Sequence, residues 1–297
     1  MKQHQLDNDT FVVTLLTTLR EEQYSLNAWW RFLLYSWRRS RETARTHPSL
    51  MRSWKQVTAL MGILVVGMCI ATLVFEGEMA LLRLLPGLLF CVAWQQSDLF
   101  WHLGLNRNGR AGLLYERVGL ANVLTGVRGL CASYLLARIV GGLHTPTRLA
   151  FSLFILGIGT DILDGMVARI TGTQSTLGQI ADAEADFCLY GTMSILLMQN
   201  ALLPLWLGIV MIARFLIPFV SAVISYFCFT HTLHFGSTRW GKYAGLCQCL
   251  YFFVLLAPPQ FAPFTYPVTT PLLLVMLLLF VVALFAQIIA NMQKSYL

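Results

Sequence analysis

The sequence predicts an all-α integral membrane protein, and three observations support that fold class. Of the 297 residues, 57% are hydrophobic and only 12% are charged, and the mean hydropathy is +0.64. This composition lies outside the range of soluble globular proteins. Uncharged apolar runs of about 20 residues, long enough to cross a bilayer as helices, recur along the chain. Open sheets leave backbone groups unsatisfied in lipid, so we expect helices throughout.

The apolar runs predict eight membrane spans and divide the chain into three regions. Residues 1–57 form a basic, aromatic and amphipathic segment. Residues 58–110 hold two additional spans with their connection, and residues 111–297 hold a block of six spans that contains every motif of chemical character. The spans lie near residues 58–75, 79–99, 119–141, 147–169, 178–199, 202–227, 243–258 and 270–291.

The first region has the pattern of a helix that lies among lipid headgroups. Trp29, Trp30 and Trp37 recur with two leucines at helical spacing, and arginines mark the other faces. An apolar aromatic face opposite cations is typical of an interfacial helix. An ordinary soluble helix packed against a protein partner is the alternative.

The distribution of charge predicts the orientation in the membrane. The net charge is +7, and nine of the 21 Lys and Arg residues lie within the first 57 residues. Because cytoplasmic loops carry an excess of Lys and Arg, we expect both termini to be cytoplasmic, in what we take to be a bacterial cytoplasmic membrane. No nucleic-acid motif accompanies the positive charge, so it indicates anionic membrane lipids and no nucleic acid.

The other polar residues and the cysteines of the chain indicate no second chemical site. We interpret Gln95, Gln96, Asp98 and His102, near the end of the second span, as a solvated helix end. The seven cysteines lie mostly in apolar runs, where reduced thiols act as small hydrophobes. His231 and His234 lack a third ligand nearby and favour a solvated loop over a metal site.

Four aspartates interrupt two consecutive spans. The first pair belongs to a set at positions i, i+3, i+4, i+7 and i+8, which share one helix face. That set is Asp161, Asp164, Gly165, Ala168 and Arg169. The glycine and the alanine leave room on this face for close approach of a ligand.

The next helix repeats the arrangement after a polar turn. Gly178, Asp182 and Asp186 recur at i, i+4 and i+8, so two antiparallel helices present four aspartates towards each other. Glu184 is rotated about 200° from Asp182 and is expected to face away.

Four neighbouring carboxylates repel one another unless cations lie between them. Oxygen ligands without histidine or cysteine indicate Mg²⁺ or Mn²⁺, and two such ions would neutralise four charges. Two-metal sites serve displacement at phosphorus. The structural alternative is ion pairing with Arg169 and Arg128, which we expect to account for two of the aspartates and not for all four.

These residues resemble a known family signature. The run D-x2-D-G-x2-A-R-x8-G-x3-D-x3-D extends from Asp161 to Asp186 without a gap, and "ANVLTGVRGL" upstream matches an N-x-x-T-x-x-R motif. Within the second motif Asn122, Thr125, Gly126 and Gly129 share a polar, small face. Both motifs are similar to those of the CDP-alcohol phosphatidyltransferases, over residues 111–291.

The resemblance implies a fold and a set of site residues. It implies a six-helix core, a homodimer and a site open to the cytoplasm. Asp186 would act as general base and as a metal ligand. The remaining metal ligands would be Asp161, Asp164 and Asp182. The residues implied to bind the CDP-lipid are Asn122, Thr125, Gly165, Ala168, Arg169, Ser175 and Gly178.

The implied reaction is transfer of a phosphatidyl group from a CDP-linked lipid, CDP-diacylglycerol above all, to the hydroxyl of a small acceptor alcohol with release of CMP. Two rival hypotheses remain. Carboxylates within a membrane also mark cation- or proton-coupled transporters, although their sites usually lie near the midplane of repeated halves. A catalytically inactive family member that serves as a scaffold is the other.

Three cations indicate an acceptor that carries its own phosphate, such as glycerol 3-phosphate or inositol phosphate. Arg214 lies inside the sixth span, while Arg239 and Lys242 lie at the cytoplasmic mouth. "GKYAG" resembles the G-K-x-K-T of glycerophosphate-using relatives, but Ala244 and Gly245 depart from it. A neutral or zwitterionic acceptor such as serine therefore stays open, as does a structural bond from Arg214 to helix carbonyls.

Overall fold

The structure, a computed structural model, describes residues 15–108, 112–228 and 238–294. Regular structure in these residues is helical apart from two isolated β-bridges, and the all-α prediction is confirmed. Residues 15–21 are also helical. The long helices are α1 (Leu26–Thr46), α2 (Pro48–Glu76), α3 (Glu78–Trp101), α4 (Leu120–Val140), α5 (Thr147–Thr171), α6 (Thr176–Gln199), α7 (Leu205–Cys228), α8 (Arg239–Leu256) and α9 (Ala262–Lys294).

Each predicted span falls on one of the helices α2 to α9. Among the described residues, five stretches are long and apolar enough to cross a membrane, and α7 holds a shorter apolar stretch. The five are Pro48–Glu76, Glu78–Trp101, Leu120–Val140, Thr147–Thr171 and Pro259–Gln287. α6 falls short because it carries three carboxylates within its first turns. The chain is a multi-pass membrane protein. His231 and His234 lie outside the described residues.

Local sequence determines where the helices begin and end. The Ser25 hydroxyl accepts a hydrogen bond from the amide of Ala28, and the Thr238 hydroxyl accepts one from Gly241. Pro48 occupies the first turn of α2, where its missing N–H costs nothing. Gly77 separates α2 from α3 with a φ of 88°, a conformation that a residue with a Cβ rarely adopts.

The chain forms two compact units, and each is described by itself. The first contains residues up to 144 and residues 153–192, which include α1 to α4 and most of α5 and α6. The second contains residues 145–152 and 193–297.

In the first unit, α2 and α3 pack closely on α4. A Cβ added to Gly87 would lie 3.2 Å from the Cα of Ala137, so the two backbones are almost in contact. At the far end of α4, the fully buried Arg138 donates to both carboxylate oxygens of Glu76, at 2.6 and 2.9 Å. A buried cation requires such a partner, which ties α2 to α4.

The C-terminal end of α3 is packed against neighbouring helices. The prediction that it is a solvated helix end is therefore wrong. Gln96 is only 7% exposed, and its side-chain oxygen accepts a hydrogen bond from Thr58 of α2 at 3.0 Å. The amide of Gln95 donates to the carbonyl oxygen of Gly126 in α4 at 2.9 Å. Both glutamines therefore hold α3 against its neighbours. Sequence spacing could not reveal this because the partners lie on other helices.

Asp98 connects α3 to α6. Its carboxyl group is hydrogen-bonded to that of Glu184, which faces away from the other carboxylates as predicted. Asp98 also lies 3.2 Å from the ring nitrogen of His102. Burial lowers the pKa of His102, but the Asp98 carboxylate outweighs it and raises the pKa above the ordinary value.

α1 packs partly on the end of α3 and is partly open. The indole N–H of Trp101 donates to the Ser36 hydroxyl at 2.6 Å, and Trp37 stacks edge-on against Trp101. Trp30, which lies on the same stripe nearer the start of α1, is 64% exposed, and Leu26 is 88% exposed. The later turns of α1 thus contact protein, while its first turns leave apolar groups for a lipid surface.

Candidate active site

The four aspartates project from the last three turns of α5 and the first three turns of α6. Carboxylate oxygens of Asp161, Asp182 and Asp186 lie within 4.8 Å of one another. Asp164 is more deeply placed, and its side chain is 9% exposed against 42% for Asp161. The helical spacing in the sequence therefore brings the predicted carboxylates to one place, as expected.

All four aspartates converge on Arg128 of α4, whose side chain is fully buried. One terminal nitrogen contacts Asp161, at 2.6 Å, and Asp186, and the other contacts Asp164 and Asp182 at 2.6 Å each. A guanidinium can do this because its planar fork directs several N–H groups at once. The expectation that ion pairing accounts for only two aspartates is wrong: one arginine reaches all four.

The donor set still fits a divalent metal. Four carboxylates and one guanidinium leave three uncompensated negative charges, and Arg128 engages a single oxygen of each aspartate. The group of Asp161, Asp182 and Asp186 could hold a cation. A ligand set made only of oxygen suits a hard cation such as Mg²⁺ or Mn²⁺.

Residues of the upstream motif border the aspartates. The Thr125 hydroxyl donates to Asp164 at 2.8 Å, on the same oxygen that Arg128 contacts. One turn earlier, Asn122 lies beside the start of α6, and a Cβ added to Gly178 would stand 2.9 Å from its side-chain oxygen. The amide of Gly178 donates to the Ser175 hydroxyl at 3.1 Å. The structure thus brings these four predicted nucleotide contacts together.

Arg169 and its neighbours form the outer edge of the same face. Arg169 is exposed, and its guanidinium lies 3.7 Å from the point where a Cβ on Gly165 would stand. Ala168 is half-buried beside it. The face is therefore narrow at Gly165 and carries one accessible cation.

The two glycines of the upstream motif, Gly126 and Gly129, serve packing against α2 and α3. A Cβ on Gly129 would lie 2.5 Å from the Gln95 amide nitrogen, and one on Gly126 would lie 3.1 Å from Met61. Both contacts come from α2 and α3. The helical face predicted from spacing therefore contacts two different surfaces. The Thr125 hydroxyl contacts the aspartates, and the two glycines contact α2 and α3.

The predicted acceptor residues belong to the second unit. Arg214 of α7 donates to the side-chain oxygen of Gln248 at 2.6 Å and to the carbonyl of Gly241 at 2.9 Å. Arg239 and Lys242 are exposed at the start of α8. Gly245 leaves room for the Arg214 side chain, since a Cβ on Gly245 would lie 3.3 Å from the Arg214 guanidinium. The structural alternative for Arg214 is thus realised in part, because one of its bonds is to a helix carbonyl.

Sequence reasoning named Arg128 only in the structural alternative, as an ion-pair partner, and left it out of the predicted catalytic and binding residues. A signal was present, since Arg128 follows Asn122 and Thr125 at intervals of three in the N-x-x-T-x-x-R motif and is thus within a turn of Thr125. The number of its partners was not visible, because they come from two other helices.

Comparison with known proteins agrees with this geometry. The profile of the CDP-alcohol phosphatidyltransferase family matches residues 118–292, which is more than half of the chain. The chain belongs to this family of transferases, and membership favours the transferase over the transporter. No curated protein and no solved structure gives a significant match.

Proposed function

We propose that the protein transfers a phosphatidyl group from CDP-diacylglycerol to the hydroxyl of a small acceptor alcohol and releases CMP, as a step of phospholipid synthesis. The observation that carries this proposal is the convergence of Asp161, Asp164, Asp182 and Asp186 around Arg128 in a chain of this family. The residues supply acidic ligands, a base and a nearby cation, which are the parts that displacement at phosphorus requires.

Asp186 is the general base in this proposal. Its carboxylate accepts the proton of the acceptor hydroxyl, whose oxygen attacks the phosphorus on the lipid side of the pyrophosphate. The new oxygen–phosphorus bond replaces the bond to CMP, which leaves with the pair of electrons. Asp186 is 34% exposed at its side chain, so an acceptor hydroxyl can reach it.

Asp161, Asp164, Asp182 and Asp186 would hold two divalent ions, Mg²⁺ or Mn²⁺, because a single ion would leave one of the three negative charges uncompensated. When bound, such ions neutralise developing charge on the phosphates. The positions of the carboxylates determine where the ions would meet the phosphate charges, and Arg128 holds the carboxylates in place.

The nucleotide part of the substrate is assigned to the face next to the aspartates. Arg169 offers an accessible guanidinium to the pyrophosphate. Gly165 keeps the approach open, and Ala168 adds little bulk beside it. Ser175 precedes α6 and Gly178 lies in its first turn, while Asn122 and Thr125 border the same place from α4.

The acceptor is assigned to the second unit. Arg214 is the central candidate because Gln248 and Gly241 hold its guanidinium in a fixed orientation. Arg239 and Lys242 are exposed cations on the following helix. A phosphorylated polyol suits this set of charges, and serine suits it less well.

We further propose a homodimer in a bacterial cytoplasmic membrane, with both termini and the aspartates on the cytoplasmic side. The excess of Lys and Arg in the first 57 residues supports the orientation.

The function is tested with purified full-length protein, CDP-diacylglycerol and a panel of acceptors that pairs each phosphorylated polyol with its free alcohol and includes serine. The expected result is a new phospholipid and an equal amount of CMP with one class of acceptor. If no acceptor in the panel yields CMP and lipid product, the proposal fails.

A further inference from the structure

A cleft of about 290 Å³ lies where α1 ends and α2 begins, outside the family match, and none of its lining residues belongs to the aspartate site. Its walls come from the last turn of α1 and the first two turns of α2. The lining residues are Ala44, Arg45, Pro48, Met51, Arg52 and Lys55. Half of them are cations and the rest are apolar or small, so the cleft combines positive charge with an apolar floor.

The three cations of the cleft have no acidic partner among the described residues. Arg45, Arg52 and Lys55 are all exposed. Two other arginines of the same segment are paired, Arg31 with Glu22 and Arg39 with Glu42. Positive charge is therefore left uncompensated in the cleft, and it can attract an anion there.

The cleft lies at the depth of lipid phosphates. Lys55 is the last charged residue before an uncharged run, residues 56–75, which as a helix spans about 30 Å, the thickness of the hydrocarbon core. Arg52 is one turn further out. Side chains along the run are open to lipid, with Ile63 68% exposed and Phe75 84% exposed. A ligand in the cleft therefore meets headgroups on one side and acyl chains on the other.

We propose that this cleft binds the phosphate headgroup of an anionic glycerophospholipid. The cations of Arg45, Arg52 and Lys55 surround the phosphate, and Met51 and Pro48 contact the glycerol and upper acyl carbons. Basic pockets beside membrane helices recognise lipid phosphates in this way. The binding is separate from the aspartate site and does not depend on the proposed reaction.

The experiment measures binding of phosphatidic acid and of phosphatidylcholine to the full-length protein by native mass spectrometry. The cleft variant R45Q/R52Q/K55Q is compared with R38Q/R39Q/R41Q, which removes three charges from α1 outside the cleft. Each cation near an anionic phosphate contributes about fivefold to affinity, so the cleft variant should lose phosphatidic acid affinity by roughly 100-fold. The control should change by less than about threefold, and phosphatidylcholine binding should not change in either.

Arg52→Gln alone provides a second measurement with minimal disturbance, and about fivefold weaker binding is expected. Equal losses in the two triple variants would overturn the proposal, because diffuse charge would then explain the preference. Displacement of phosphatidic acid by millimolar inorganic phosphate would also overturn it, by assigning the cleft to a soluble anion.

Discussion

The side-chain amide of Gln95 donates a hydrogen bond to the backbone carbonyl of Gly126 across 2.9 Å. Gln95 belongs to α3, which precedes the family match, and Gly126 lies two residues before Arg128 on α4. α3 also reaches α6 through Asp98 and Glu184. α3, which lies before the family region, therefore supports two of the helices that carry the aspartate site, α4 and α6.

Gly129→Leu should destabilise the protein and lower CMP release. A Cβ at this position would stand 2.5 Å from the Gln95 amide nitrogen, and overpacking of this kind costs about 1–3 kcal/mol. Thermal unfolding in detergent measures the loss. Gly67→Leu is the matched control, because no atom lies within 4 Å of its added Cβ.

Gln95→Ala combined with Gly129→Leu tests the cause of that loss. Removing the obstructing amide should restore part of the unfolding temperature lost in Gly129→Leu. If the double variant is less stable by the sum of the two single effects, the two residues act independently and the packing account is wrong.

Arg128→Met should destabilise the metal-free protein severely. Removing the cation leaves Asp161, Asp164, Asp182 and Asp186 without the partner they share, and breaking a buried ion pair costs about 3–5 kcal/mol. Unfolding in detergent with chelator measures this effect, and Mn²⁺ should recover more stability in Arg128→Met than in the wild type. An unfolding temperature equal to that of Arg169→Met, an exposed control, would contradict the role assigned to Arg128.

Activity should require Mg²⁺ or Mn²⁺ and vanish with chelator, while Ca²⁺ should substitute poorly. Mg²⁺ prefers octahedral sites with ligands at about 2.0–2.1 Å, whereas Ca²⁺ prefers about 2.3–2.6 Å and more ligands. CMP release in titrations of each ion measures the dependence. Full activity in excess EDTA would show that the carboxylates work without a divalent ion.

Arg214→Ala should raise the KM of the acceptor and leave the KM of the CDP-lipid unchanged. The guanidinium is oriented by Gln248 and Gly241, and the variant removes that cation from the second unit. Steady-state kinetics with each substrate varied in turn separate the two constants. Unchanged kinetics for a phosphorylated acceptor would exclude Arg214 from the acceptor site.

Much of the fold and of the site follows from the sequence because both depend on periodicity. The lengths of the apolar runs place eight helices, and intervals of three and four residues bring Asp161, Asp164, Asp182 and Asp186 together. Contacts between helices that are far apart in the sequence produce no periodic pattern in it. The reach of Arg128 to four carboxylates and the contact of Gln95 with Gly126 depend on three-dimensional packing, and spacing alone did not reveal that Gly126 and Gly129 pack against α2 and α3.

The most direct test of the central claim is CMP formation from CDP-diacylglycerol by the wild type and by Asp186→Asn, with Mn²⁺ and an active acceptor. Loss of a general base costs about 10²- to 10⁴-fold in rate, so Asp186→Asn should be at least that much slower. Binding of CDP, measured in parallel, should be retained because Arg169 and Gly165 are unchanged. CMP formation by Asp186→Asn at the wild-type rate would contradict the account.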